Sequence, residues 1–220
     1  MKRQCETSQI ENAAAQRNAI KVFDKSKIIS KTDFDCLLRV AQFCPSSMGL
    51  EPWRIIVVQN EYMRKDLCVY SSGAQRQLDS CSHFVVFSVQ NDLGADSDYV
   101  RNICLRVKHM DNVEYKAFVE KLKMLQIERL CLTDKRSMVD WACKQAYIAM
   151  GSMITSASLL GIDSCPIEGF SPSDVTQVLI RNGAMCENES VAVMAAFGYR
   201  TDLSKLEKVR RPMEEIVKYI

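Results

Sequence analysis

Histidine is almost missing from this chain of 220 residues: His83 and His109 are the only two. Their scarcity leaves little for a catalytic triad, and the sequence has no Gly-x-Ser-x-Gly elbow, Walker lysine motif or Gly-x-Gly-x-x-Gly turn. Hydrolysis and the common nucleotide cradles are therefore excluded. His83 directly precedes an apolar run, where an imidazole more often bonds backbone than titrates, so a structural role is expected for it.

An excess of one charge is lacking too. Lys and Arg total 29 against 27 Asp and Glu, for a net charge of +2, which gives no polyanion-binding surface, and no nucleic-acid partner is expected. The longest apolar run, Val191 to Phe197, falls far short of a bilayer span, so no membrane association is expected either. Five Pro and eight Gly beside 47% hydrophobic residues argue against disorder. Ten cysteines are present, yet the nearest pair is Cys36 and Cys44, so no Cys-x-x-Cys metal knuckle exists and no metal site is expected. Met1 to Gln16 is polar and Ala-rich rather than a basic stretch leading into an apolar one, which predicts a cytoplasmic protein with reduced thiols. Cys36, Cys104 and Cys143 fall within helical patterns as small hydrophobes.

What is present reads as one domain over residues 1–220, with 200–220 as a C-terminal arm. Ser30 at N-cap and Asp33 at N3, with Phe34, Leu37, Leu38 and Ala41 at helical spacing, predict an amphipathic helix over 31–43 stopped by Pro45. Residues 54–59 contain Ile55-Ile56-Val57-Val58, the pattern of a strand buried on both faces, and 84–89 form a second such run. Helical character is expected over 61–81, broken at Ser71-Ser72-Gly73, and over 96–130. Asp140 to Leu160 predicts a buried helix closed by Gly161. An extended stretch follows Ile162, and Ser171-Pro172-Ser173-Asp174 reads as a helix start. The last strand is expected over 190–199. A basic cluster of Lys205, Lys208, Arg210 and Arg211 precedes a short terminal helix. Strands separated by helices predict an α+β fold with a central sheet between helical layers.

Four polar segments at element boundaries are candidates for ligand contact: Arg17-Asn18-Ala19-Ile20-Lys21, Pro45-Ser46-Ser47, Pro166-Ile167-Glu168-Gly169 and Lys208-Val209-Arg210. Cations at both ends of the chain beside hydroxyl donors suit a phosphate-bearing ligand. Taken singly, Pro-Ser-Ser is by default a helix-stopping turn, and a basic C-terminal tail is usually a solvated surface.

Six blocks in order change that balance: Arg17-x-x-x-Lys21; Cys44 to Trp53; Ser82 to Phe87; Trp141-x-x-x-Gln145-x-Tyr147 through Gly151; Leu160 to Phe170; and Phe197-Gly198-Tyr199-Arg200 followed by Lys208-Val209-Arg210. With these the chain resembles the FMN-dependent nitroreductase family over nearly its whole length. Pro-Ile-Glu-Gly-Phe and Pro-Ser-Ser…Pro-Trp are the most specific blocks.

The resemblance implies a mostly antiparallel sheet flanked by helices, a homodimer exchanging the C-terminal arm, and two FMN sites between subunits. Arg17, Lys208 and Arg210 would hold the phosphate and ribityl tail, with Ser46 and Ser47 beside Pro45 supplied by the partner. Lys21 and Gln77 would face the pyrimidine edge of the ring, and Pro166, Ile167, Glu168 and Gly169 would run along one ring face. The helix of Trp141 would be buried as the dimer interface. No side chain is expected to be catalytic, because flavin N5 carries the chemistry: NAD(P)H delivers hydride and leaves, and a nitroaromatic, quinone or similar small acceptor takes its place. Asn18 and Ala19 replace a common His-Ser, Gly49 and Glu51 replace Asn and Gln, Ala74 stands where an Asn often reads the ring, and Gln77 replaces a Lys of some members. Ala19, Ala74 and Gln77 keep a flavin-binding or interaction protein with little turnover in play, and another flavin-driven reduction on the same fold is a further alternative. Residues 119–140 lack aromatics, so Leu122, Leu125, Ile127 or Leu130 are the candidates to line the acceptor pocket.

Overall fold

The computed structural model describes residues 5–202 and 207–220. Among them, four strands form one sheet in the order β1-β2-β4-β3, with every neighbouring pair antiparallel. β2 (His83–Gln90) and β4 (Glu189–Gly198) are central and almost wholly buried, while β1 (Trp53–Val58) and β3 (Asp163–Ile167) lie at the edges. This matches the expected α+β class, and the extended stretch after Ile162 is a true strand.

β1 departs from expectation: Ile55, Ile56 and Val57 are only half-buried, because it has a neighbour on one side only. A run of β-branched residues signals a need for burial without saying which neighbour meets it.

Side chains alternate between two helical layers. One layer contains α2 (Lys31–Gln42) and α7 (Lys135–Leu159); Leu37, Ala146 and Met153 there meet Phe87, Val193 and Phe197 of the sheet. The other contains α3 (Glu61–Val69), α4 (Gln75–Ser80) and α8 (Pro172–Arg181); Leu67, Leu78 and Leu179 meet Phe84, Val86 and Met194. Each fully buried Phe contributes about 1.5–3 kcal/mol by leaving water. α1 (Thr7–Gln16) packs on α7.

Capping explains most boundaries. The Ser30 side chain accepts from Asp33 N, and Gly161 closes α7 with φ +71°, both as expected. α7 begins at Lys135, ahead of the expected Asp140, because Asp134 and Ser137 form a reciprocal capping box. At α8 the Ser171 hydroxyl bonds Asp174 Oδ2 at 2.5 Å and caps no backbone N–H. The 96–130 stretch is broken up: α5 (Asp98–Asn102) runs into a π-helical segment at Ile103–Val107, and α6 (Asn112–Lys123) into another at Met124–Arg129. His109 and Cys131, each at φ 53°, close these segments. The short terminal helix is α9 (Met213–Ile216). All ten cysteines are free thiols.

His83 stacks on Phe34 with ring centroids 3.8 Å apart, and its Nδ1 is 2.9 Å from Ser82 Oγ. Burial, helped by the Arg64 charge, holds its pKa below the ordinary 6.5. The folded chain thus resists a proton that the unfolded chain accepts, so stability falls as pH drops below 6.5. Denaturant midpoints measured from neutral pH downward should show this loss, and His83→Phe should abolish that step.

Candidate functional site

The site starts at the outer edge of β3. Beyond α1 the chain turns extended at Arg17, Ala19 bridges Ser164 in parallel, and Ile20 N donates to Ser164 O at 3.2 Å. Phe23 then bridges Arg200, and Phe23 N donates to Ser80 Oγ at 3.0 Å. Gly198 is required here, since a Cβ would sit 2.8 Å from the Phe23 ring. Arg200 ion-pairs with Asp163 of β3 and donates to Gln16 O, tying the end of α1 to the sheet.

The cations gather at that helix end. α1 has no basic residue in its last turn, and its open carbonyls receive donors from the far end of the chain: Lys208 Nζ on Ala14 O, and Arg200 on Gln16 O. Burial and the charges of Arg17 and Arg210 push the Lys208 ammonium below its ordinary pKa. Arg17, Lys208 and Arg210 are thus brought together, and Lys205 lies outside the described residues. Asn18 turns back to Gln16 O at 3.1 Å.

A second group forms at the other end of β3. Lys21 Nζ and Gln77 Nε2 both reach Cys165 Sγ at 3.5 Å. Gly73 N donates to Gly169 O at 2.7 Å, and a Cβ on either glycine would fall 2.9 Å from the other's Cα. That backbone contact presses the turn before α4 against the Pro166–Gly169 loop and so carries Gln77 to Cys165. Pro166 and Ile167 end β3 opposite Ala195 and Met194. Ala74, at the N-cap of α4, is fully buried. Glu168 accepts from the Tyr147 hydroxyl at 2.5 Å; burial and this bond raise the Tyr147 pKa, so the phenol keeps its proton.

Pro45, Ser46 and Ser47 lie elsewhere. Ser47 N donates to Gln145 Oε1 at 2.8 Å, and Ser46 Oγ accepts from Glu51 N at 2.9 Å. The loop holds three left-handed residues, Met48, Gly49 and Glu51. Lys108 donates to Met48 O at 2.6 Å while its ammonium sits 4.6 Å from the Phe118 ring centroid. Tyr99, its phenol pushed up to about 12 chiefly by burial, donates to Glu51 O at 2.7 Å. Gln145 and Tyr147 are two residues apart on α7, hence about 200° around the axis. One chain therefore presents Ser47 and Glu168 on opposite sides of the same helix.

The sequence patterns give Cys165, Tyr99 and Lys108 no individual role, and Gln145 and Tyr147 only their place in the Trp141 block. That block marks Gln145 and Tyr147, whereas nothing in the local pattern marks Lys108. Trp141 is 6% exposed and buried in its own chain's core, so intrachain packing explains its burial without an interface. Leu122 is fully buried and cannot line a pocket, while Ile127 and Leu130 are exposed.

The Nitroreductase family profile matches residues 14–199. The chain belongs to that family. It is 42% identical over 210 residues to a Staphylococcus haemolyticus protein provisionally named an NAD(P)H nitroreductase, covering 95% of this chain and 96% of that one. Among solved structures, a nitroreductase family protein of Streptococcus pneumoniae aligns with TM-score 0.77 at 20% identity, covering 96% of this chain and 99% of the other. An Exiguobacterium sibiricum protein provisionally called a nitroreductase, solved in complex with FMN, aligns with TM-score 0.75 at 17% identity over 100% and 99% of the two chains. These likenesses establish the nitroreductase fold for this chain.

The half-exposed Lys108 props a strained loop, so Lys108→Met should lower stability by roughly 1 kcal/mol, or about 2–4 °C in melting temperature. Hydrogen exchange should quicken at the Gly49 and Leu50 amides, which bond back to Ser46 O and Ser47 O.

Proposed function

We propose that this nitroreductase-family chain is an FMN-dependent oxidoreductase drawing reducing equivalents from NAD(P)H and passing them to electron-poor acceptors such as nitroaromatics or quinones. The observation that carries the reading is the crowding of Arg17, Lys208 and Arg210 at one helix end beside β3. Lys208, whose proton affinity is lowered by burial and by the charges of Arg17 and Arg210, fits with those two guanidiniums a dianionic phosphate, which relieves the repulsion.

The residues present fit FMN along the whole of β3. The cations would hold the phosphate, and Asn18 and Ala19 border the path to Lys21. Lys21 and Gln77 would meet the pyrimidine edge of the ring. Pro166, Ile167, Glu168 and Gly169 would offer a ledge along one ring face, with Gly169 pressed against Gly73. Bound there, FMN supplies two-electron chemistry that the side chains lack. Lys21 contributes positive charge where the ring gains negative charge. The Tyr147 hydroxyl ties the Glu168 carboxylate to α7 and holds its own proton. Hydride transfer asks of the chain stacking and orientation more than acid-base groups.

A second copy completes the site in this reading. Ser46 and Ser47 stand across α7 from the ledge, and a helix about 10–12 Å thick separates the two. The exposed Ile148 and Leu159 of α7 and its C-cap Leu160, with Val209, Met213, Ile216 and Tyr219 of the tail, would supply apolar surface for a homodimer with exchanged arms. Sedimentation should return twice the 25.0 kDa chain mass.

Purified protein should be yellow, and NADPH added under nitrogen should bleach it. Flavin that stays oxidised would favour a binder over a reductase. Arg210→Ala should weaken FMN binding by about 1.5–3 kcal/mol, roughly tenfold to 150-fold, through loss of a charge-assisted bond. Unchanged affinity by titration would place the tail away from the cofactor.

A further inference from the structure

We propose that Cys165 is a positioning residue: its buried thiol anchors Lys21 and Gln77 and so sets where their polar groups stand at the ring edge. The inference rests on the FMN reading above but concerns a contact within the apoprotein.

Three segments remote in sequence meet at one sulfur. Lys21 comes from the strip added to β3, Gln77 from α4, and Cys165 from the middle of β3 itself. The thiol is 0% exposed and Gln77 is 2% exposed. Lys21 Nζ and Gln77 Nε2 each stand 3.5 Å from Sγ, and Sγ stands 3.5 Å from Pro166 O. A protonated thiol has one weak donor and weak acceptor capacity. Donating to Pro166 O while accepting from the two nitrogens satisfies all three contacts at once. Gln77 Nε2 also donates to Gly73 O at 3.1 Å, so both amide hydrogens have partners.

The consequence falls on Lys21. The residue lies at the surface, and a lysine left to itself spreads over many rotamers. The thiol fixes the amine at one end of the ledge. Gln77 is neutral, which leaves Lys21 as the cation of this pair, and Coulomb energy falls with distance, so its placement governs how far the charge acts on the ring. A residue needed only to fill space would be equally well served by Val or Ala with repacking. A residue needed as an acceptor is replaced by Ser but by neither of those.

Two readouts separate the cases. In apoprotein, acetylation of Lys21 by acetic anhydride, followed by peptide mass spectrometry, should be severalfold faster in Cys165→Ala than in wild type, with Cys165→Ser close to wild type. In FMN-loaded protein, Cys165→Ala should lower the equilibrium constant for flavin reduction about threefold to tenfold, a two-electron midpoint about 14–30 mV more negative. Cys165→Ser should restore it, and the shift should largely vanish in a Lys21→Met background. Should the Ala variant fail to fold, Cys165→Val fills the space without accepting a bond and takes its place. Equal Lys21 labelling in wild type and the Ala or Val variant, or an unaltered midpoint in FMN-loaded variants, overturns the anchor. Wild-type protein that takes up no FMN defeats the functional reading instead, and the labelling then decides the anchor alone.

Discussion

One parallel bridge, Ala19 to Ser164, decides where the strip from Arg17 to Lys21 ends up. β3 is an edge strand, and an unpaired edge invites unwanted pairing unless something covers it. The strip from Arg17 to Phe23 covers it from within the chain. In doing so it sets Arg17 at one end of β3 and Lys21 at the other, with the strand's own Cys165 between. The Arg200–Asp163 pair, itself largely buried, locks the same edge from the β4 side. Loss of that edge pairing would scatter the cations and release Lys21 together, although none of those side chains makes the bridge.

α7 imposes the complementary constraint. Its capping box and buried Ala and Met residues make it the thick wall of one helical layer. Two of its polar residues face opposite ways: Gln145 holds the Ser47 amide, and Tyr147 holds the Glu168 carboxylate. In the proposed homodimer, two copies placed wall to wall would give each site one face from each.

Much of this was legible in the sequence, because it rests on local chemistry. Ser30 with Asp33, Gly161 and the alternating apolar run of β2 encode their own geometry. The burial of β1, the early start of α7 and the breaks at Ile103–Val107 and Met124–Arg129 were not legible in the same way. Each depends on neighbours distant in sequence, or on a cap lying outside the hydrophobic pattern. The candidate site divides along the same line. Blocks such as Pro166–Gly169 stand out as motifs, but the contacts that fix them, Gly73 on Gly169 and Lys108 on Met48 O, join residues with no shared periodicity.

The departures from the family pattern acquire a physical meaning together. Ala74 is buried and its side chain offers no polar atom, and Gln77 brings a neutral amide. Positive charge at this end of the ledge therefore comes to rest largely on Lys21. A site with two cations tolerates the wandering of one, since the other keeps the potential nearly constant. A site with one cation does not. The thiol that receives both Lys21 and Gln77 is thus placed where loss of redundancy makes fixed geometry matter most, and the weak sulfur contacts are matched to that task. They hold the amine without neutralising it, as a carboxylate at the same position would.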